Sequence, residues 1–173
     1  MTKLTREMWI KTGLDALREK GFTALKADVL SKKLKVTRGS FYGYFQNIDA
    51  FHDAIFDAWL AQSTKVAAEL EGAAAPREQL AHLVTSAAKA DLALERAIRA
   101  WAHADAVIAH RVQEVDEFRL AALSAVVSSA NVDRPEVRSK LIYATALGAA
   151  YLPNSVREMS DRDLEFLLDA YTK

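Results

Sequence analysis

The stretch from Ala27 to Phe45, ADVLSKKLKVTRGSFYGYF, holds the residues with the clearest chemical purpose. Arg38, Gly39 and Ser40 put a guanidinium, a bare backbone and a hydroxyl at the start of a short helix, and Tyr42 and Tyr44 follow. That combination suits double-stranded DNA. A planar guanidinium can pair with both acceptors of a guanine edge, and this is worth about 1–3 kcal/mol of discrimination. Glycine lets the backbone approach closely, while Ser40, Tyr42 and Tyr44 can bond phosphates or stack on sugar edges. Thr37 is placed to cap the helix through its hydroxyl, and Lys26 and Lys35 are candidate phosphate contacts. A plain helical hairpin with solvated cations fits the same residues.

Charge weighs between the two readings. Residues 1–47 carry ten Lys/Arg and four Asp/Glu, a net of +6, and residues 48–173 carry thirteen and nineteen, a net of −6. A basic head on an acidic body favours a polyanion at the head. Other chemistry is thin. His110 and Glu114 stand one helical turn apart with His103 nearby, but no third ligand comes at a fixed short spacing, so no metal is expected. Cysteine is absent, and there is no Gly-rich phosphate loop, nucleophile elbow or His-Glu-x-x-His. The sequence predicts neither an enzyme nor a cofactor.

The elements that must position these residues are helices. Apolar residues recur at helical spacing almost everywhere, and no segment alternates as a strand does. The pattern predicts an all-α fold of about nine helices. Ile10, Leu14 and Leu17 mark the first, which ends at Gly21. The second runs from about Leu25 to Leu34 and the third begins after Thr37. A long fourth is spelled by Phe51, Ile55, Trp59 and Val66. Leu30, Leu34, Val36, Phe41 and Tyr44 take the places that hold a helix-turn-helix corner, with Ser31 as the small residue at the close contact. Pro76, Asp133-Arg134-Pro135 and Pro153-Asn154 punctuate the later helices. The opening residues do not read as a signal peptide, and the longest uncharged apolar stretch, Leu141 to Leu152, is too short to span a bilayer. A cytoplasmic protein is expected.

The run Leu-Ser-Lys-Lys-Leu-Lys-Val-Thr-Arg-Gly-Ser-Phe-Tyr-Gly-Tyr-Phe, followed by Asn47 and Phe51, resembles the signature of the tetracycline-repressor (TetR) family. The likeness covers about residues 5–60, and its most specific part is Val-Thr-Arg-Gly-Ser-Phe-Tyr-x-x-Phe. It implies a helix-turn-helix DNA-binding domain over residues 1–46 and a helical ligand-binding and dimerisation domain over 47–173. Arg38, Gly39, Ser40, Tyr42 and Tyr44 then fall on the recognition helix. Three positions depart from the family pattern. Lys35 stands where the turn usually has Gly, Lys26 where the second helix usually starts with Thr, and Ile48 where the fourth usually starts with a basic residue.

The resemblance also implies a small-molecule pocket, for which Trp59, Trp101, His103, Phe118 and Tyr143 are the candidates; aromatics at helical spacing equally fit plain core. Arg99 with Trp101, and Asp116 with Arg119, read as structural salt bridges or stacks. For a homodimer, Leu141, Ala144, Gly148 and Tyr151 offer one helical face and Leu164, Leu167, Leu168 and Tyr171 another. Both faces fit intrachain packing as well. The function expected is a ligand-responsive transcriptional repressor that binds a palindromic DNA operator as a dimer. A helical ligand-binding or interaction protein with weak or lost specific DNA binding is the alternative that the three departures leave open.

Overall fold

The computed structural model describes residues 4–69, 75–153 and 160–172. Among them the chain is helical, with no strand. The helices are α1 (Arg6–Lys20), α2 (Ala27–Leu34), α3 (Arg38–Tyr42), α4 (Ile48–Glu69), α5 (Pro76–Ala88), α6 (Leu92–Ala102), α7 (Ala106–Ser129), α8 (Pro135–Ala149) and α9 (Asp161–Thr172), with a 3₁₀ turn at Phe22–Ala24.

Short polar residues start these helices by meeting backbone N–H groups that have no partner inside the helix. The Thr5 hydroxyl accepts from the Met8 N–H at 3.3 Å. Asn47 Oδ1 accepts from Ala50 at 2.8 Å, so Asn47 caps α4. Asp105 Oδ1 accepts from Val107 and Ile108 at the start of α7. At α9 the cap is reciprocal: Ser160 Oγ accepts from the Asp163 N–H at 3.3 Å, and Asp163 Oδ2 accepts from the Ser160 N–H at 2.8 Å. Gly21 ends α1 at φ 76°, a conformation that costs other residues dearly, and its N–H reaches the Leu17 carbonyl at 2.9 Å.

The chain forms two compact units. The first comprises residues 1–63 and 93–110, and the second residues 64–92 and 111–173. The expected head, residues 1–46, lies within the first unit, together with most of α4 and with α6. That unit's core is aromatic: Trp9, Phe41, Phe45, Phe51, Phe56, Trp59 and Trp101 are all buried, among Leu17, Leu25, Leu30 and Ile98. The second unit's core is aliphatic, built from Leu80 of α5, Leu123, Val126 and Val127 of α7, Ile142 of α8 and Leu168 of α9. Arg77 of α5 ties α9 down, bonding Glu165 at 2.9 Å and Asp169 at 2.8 Å. Arg138 of α8 adds a bond to the Ala170 carbonyl at 2.9 Å.

Candidate nucleic-acid interface

Phe41 is the pivot of the head. It is fully buried, and its ring lies 5.3 Å from Trp9, 5.3 Å from Tyr42, 5.2 Å from Phe45 and 5.3 Å from Phe51. Edge-to-face packing with Trp9 (85°) and Phe51 (70°) fixes α3 against α1 and α4 in a way that aliphatic packing alone does not. At Gly13 of α1 the fit is closer still. A Cβ there would come within 2.5 Å of Ile55 Cδ1 and 2.6 Å of Phe51 Cζ, so only glycine lets α1 and α4 pack this closely.

The corner between α2 and α3 forms as the sequence suggests, with Leu30 and Ser31 buried and Leu34 and Val36 half-buried. Lys35 is left-handed, at φ 57° and ψ 42°. The conformation is retained because it lets the Val36 N–H reach the Ser31 carbonyl at 3.0 Å and close the end of α2. Thr37 occupies the cap position of α3 but does not cap through its side chain. Its Oγ1 instead meets Ser40 Oγ at 3.1 Å, and the Ser40 N–H goes to the Thr37 carbonyl at 3.0 Å. A second hydroxyl three residues on has captured the one expected to cap the backbone. Lys26 precedes α2, also without a side-chain cap.

Most of the candidate DNA contacts share an exposed surface. Lys26, Lys35, Thr37, Arg38, Gly39 and Tyr42 are exposed and Ser40 is half-buried. Tyr44 departs from this group. It is half-buried beside Trp9, and its hydroxyl donates to the Leu4 carbonyl at 2.6 Å. A phenol has one proton to give, so Tyr44 fastens the chain ahead of α1 and does not offer that proton to a phosphate.

Arg38 is held at the tip of α3. Its Nη2 donates to the Tyr42 hydroxyl at 3.2 Å, its Nε lies 3.2 Å from Asp28 Oδ1, and its guanidinium carbon sits 5.8 Å from the centre of the Tyr42 ring. The Tyr42 hydroxyl and then the Asp28 carboxylate push its pKa further above the ordinary arginine value. Sequence reasoning missed Asp28, although an acidic residue in a basic head beside the recognition segment was a signal. It also missed Gly13, whose meaning depends on α4 arriving opposite it, and His52. The His52 ring lies 3.1 Å from the Leu25 carbonyl and 5.1 Å from the Trp101 ring.

The pocket candidates divide between the units. In the first, Trp59 is buried beside Phe56 (5.1 Å), Trp101 is buried against His52, and His103 is exposed. In the second, Phe118 is exposed, while Tyr143 is half-buried and donates to Asp116 Oδ1 at 2.6 Å. Burial and then this bond to Asp116 push the Tyr143 phenol up to about 12. The expected structural pairs therefore include other partners: Arg99 binds Glu95 at 2.8 Å, Trp101 packs on His52, and Asp116 takes Tyr143.

Of the dimer candidates, Leu141, Ala144, Gly148 and Tyr151 are exposed and, with Val137, recur at steps of three and four along α8 and just past its end. Leu168 instead belongs to its own unit's core. The side chains of Leu164, Leu167 and Tyr171 lie outside the described residues, and among the described ones of α9 the large apolar side chain of Phe166 is exposed.

Residues 9–55 match the profile described as bacterial regulatory proteins, tetR family. A transcriptional regulator named AcuR from Cereibacter sphaeroides is 34% identical over 79 residues, which cover 44% of this chain and 36% of that protein. The class G tetracycline repressor protein of Vibrio anguillarum is 39% identical over 62 residues, 36% of this chain and 30% of that protein.

The segment from residue 9 to residue 55 is of the TetR family type.

The matched segments span about a third of the length of these two curated relatives. A likeness of fold to solved structures extends over nearly the whole chain. Salmonella enterica GusR superposes with a TM-score of 0.76 at 19% identity, covering 99% of this chain and 97% of that one. Reduced E. coli NemR gives 0.75 at 21% identity, covering 95% and 94%. No helix among the described residues is long and apolar enough to cross a membrane.

Proposed function

We propose that this chain is a ligand-responsive transcriptional repressor, cytoplasmic, which binds a palindromic DNA operator as a homodimer. The observation that carries the reading is the exposed surface around α3, where Arg38, Gly39, Ser40 and Tyr42 stand at the tip of a helix fixed from behind by Phe41. Arg38 reads a base edge in the major groove, and Lys26, Lys35, Thr37 and Ser40 position the head on phosphates. Residues 1–46 do the reading and residues 47–173 sense and dimerise. A helix that enters one groove binds weakly alone, and two related by a dimer axis meet half-sites one helical turn apart. The exposed stripe from Val137 to Tyr151 supports a paired α8. An effector that binds one spacing of the two heads better than another shifts the operator affinity by that difference.

A salt titration of binding to the DNA upstream of its own coding region tests the DNA reading. Specific binding should weaken steeply with salt, by about 0.9 log units per log unit of salt for each phosphate neutralised. Equal, weak binding to every duplex would replace a repressor with a helical binding protein that has kept only the shape of the head. For the dimer, light scattering should report twice the chain mass for the parent protein and a single chain mass for Leu141→Arg.

A further inference from the structure

Arg38 does not stand alone at the tip of α3. Asp28, in the first turn of α2, approaches its Nε at 3.2 Å, and the Tyr42 hydroxyl accepts from its Nη2 at 3.2 Å. Both partners engage Nε and Nη2, and neither engages Nη1. Arginine carries five N–H donors in a rigid fork, so both Nη1 protons and one on Nη2 have no partner among the described residues. A guanine edge needs two parallel donors, and Nη1 with the remaining Nη2 proton is available to supply them.

Asp28 also costs something where it stands. Its side chain is 60% exposed beside an Arg38 that is 62% exposed, so a carboxylate shares the surface that would face phosphates. An acidic residue in the first turn of a helix is favourable for the helix itself, but that does not account for its contact with Nε. A phosphate approaching Arg38 meets the Asp28 charge, whereas a guanine edge meets only the free end of the fork.

We propose that Asp28 is a positioning residue that aims Arg38 at a base edge and withholds it from phosphate contact. The inference rests on the reading of Arg38 as a base contact. It predicts that Asp28 raises specificity while lowering affinity for DNA in general.

The test starts from a duplex selected by the parent protein out of a randomised library. The measured quantity is the ratio of affinities for that duplex and for one with the Arg38-dependent base pair replaced. Asp28→Asn should lower the ratio by about fivefold, a fraction of what a good bidentate contact supplies, and should tighten binding to a scrambled duplex. Asp28→Glu should restore most of the ratio. Far-UV circular dichroism and urea unfolding of Asp28→Asn should match the parent, which excludes loss of α2 as the cause. In an Arg38→Ala background, Asp28→Asn should leave the ratio unchanged. If Arg38→Ala collapses the ratio and Asp28→Asn leaves it intact, the positioning role is wrong and the base-reading role of Arg38 survives. If the parent selects no sequence, or Arg38→Ala does not change the ratio, the base-reading role fails and the inference fails with it.

Discussion

In the first unit Trp9, Phe41, Phe51, Phe56 and Trp101 are fully buried, whereas in the second Phe118, Leu141, Tyr151 and Phe166 are each at least half exposed. The first unit has apolar exceptions in Phe22, Val29 and Val107, but its large aromatic rings mostly pack on one another. The second unit closes a smaller aliphatic core and leaves apolar surface over, arranged along α8 as a stripe. A structure meant to hold an arginine at a fixed angle gains from rings whose edges and faces interlock, because such packing resists rotation as well as separation. Exposed apolar stripes serve contact with something else, and here they carry the proposed pairing of two chains.

Variants can strain this contrast from either side. The largest effect is expected at Phe41→Ala, which removes the ring on which α1, α3 and α4 converge and should cost about 3–5 kcal/mol of stability by urea unfolding. A loss under about 1 kcal/mol would mean that the head is not held by its aromatic centre. Gly13→Ala adds a single methyl where α1 meets Phe51 and Ile55, and should cost about 1–3 kcal/mol; an unchanged melting curve would show that the neighbouring side chains yield freely. Lys35→Gly should stabilise the protein by up to about 1 kcal/mol by relieving the left-handed backbone.

The second unit offers a pH test. Below pH 10 Tyr143 keeps its proton whether the chain is folded or unfolded. As the pH rises from 10 to about 12 the unfolded chain loses that proton first. Stability contributed by Tyr143 should therefore be present below pH 10 and be lost through that window. Urea unfolding of the parent should show more loss there than Tyr143→Phe. The smallest effect is expected at Phe118→Ser, within about 0.5 kcal/mol, since an exposed ring has little burial to lose. A drop of several kcal/mol would show that the second unit does use its apparent surplus internally.

Much of the head was legible because its signals are local. The corner residues Leu30, Ser31 and Phe41, the breaks at Gly21 and Lys35, and the exposed Arg38 tip follow from helical period and turn chemistry within some twenty-five residues. The Thr37 cap was misread because two hydroxyls three residues apart have two ways to bond, and spacing alone does not choose. Tyr44 was placed on the DNA surface because nothing near it in sequence reveals that Leu4, forty residues away, receives its proton. In the body, helical spacing located the elements but did not separate inward from outward faces. Leu168 went to the core and Phe166 to the surface, two residues apart.

The sequence by itself determined that the chain is helical, where most helices start and stop, and which short segment carries a guanidinium, a glycine and hydroxyls at a helix tip. These depend on the chemistry of neighbours in the chain. Tertiary structure decided that α1 carries a glycine because α4 passes within a methyl's reach, that Tyr44 faces inward, and that Arg38 arrives with Asp28 already beside it. Those outcomes depend on which side chains from distant helices meet, and a hydrogen-bond donor or a ring edge can serve only the partner that packing brings within a few ångströms.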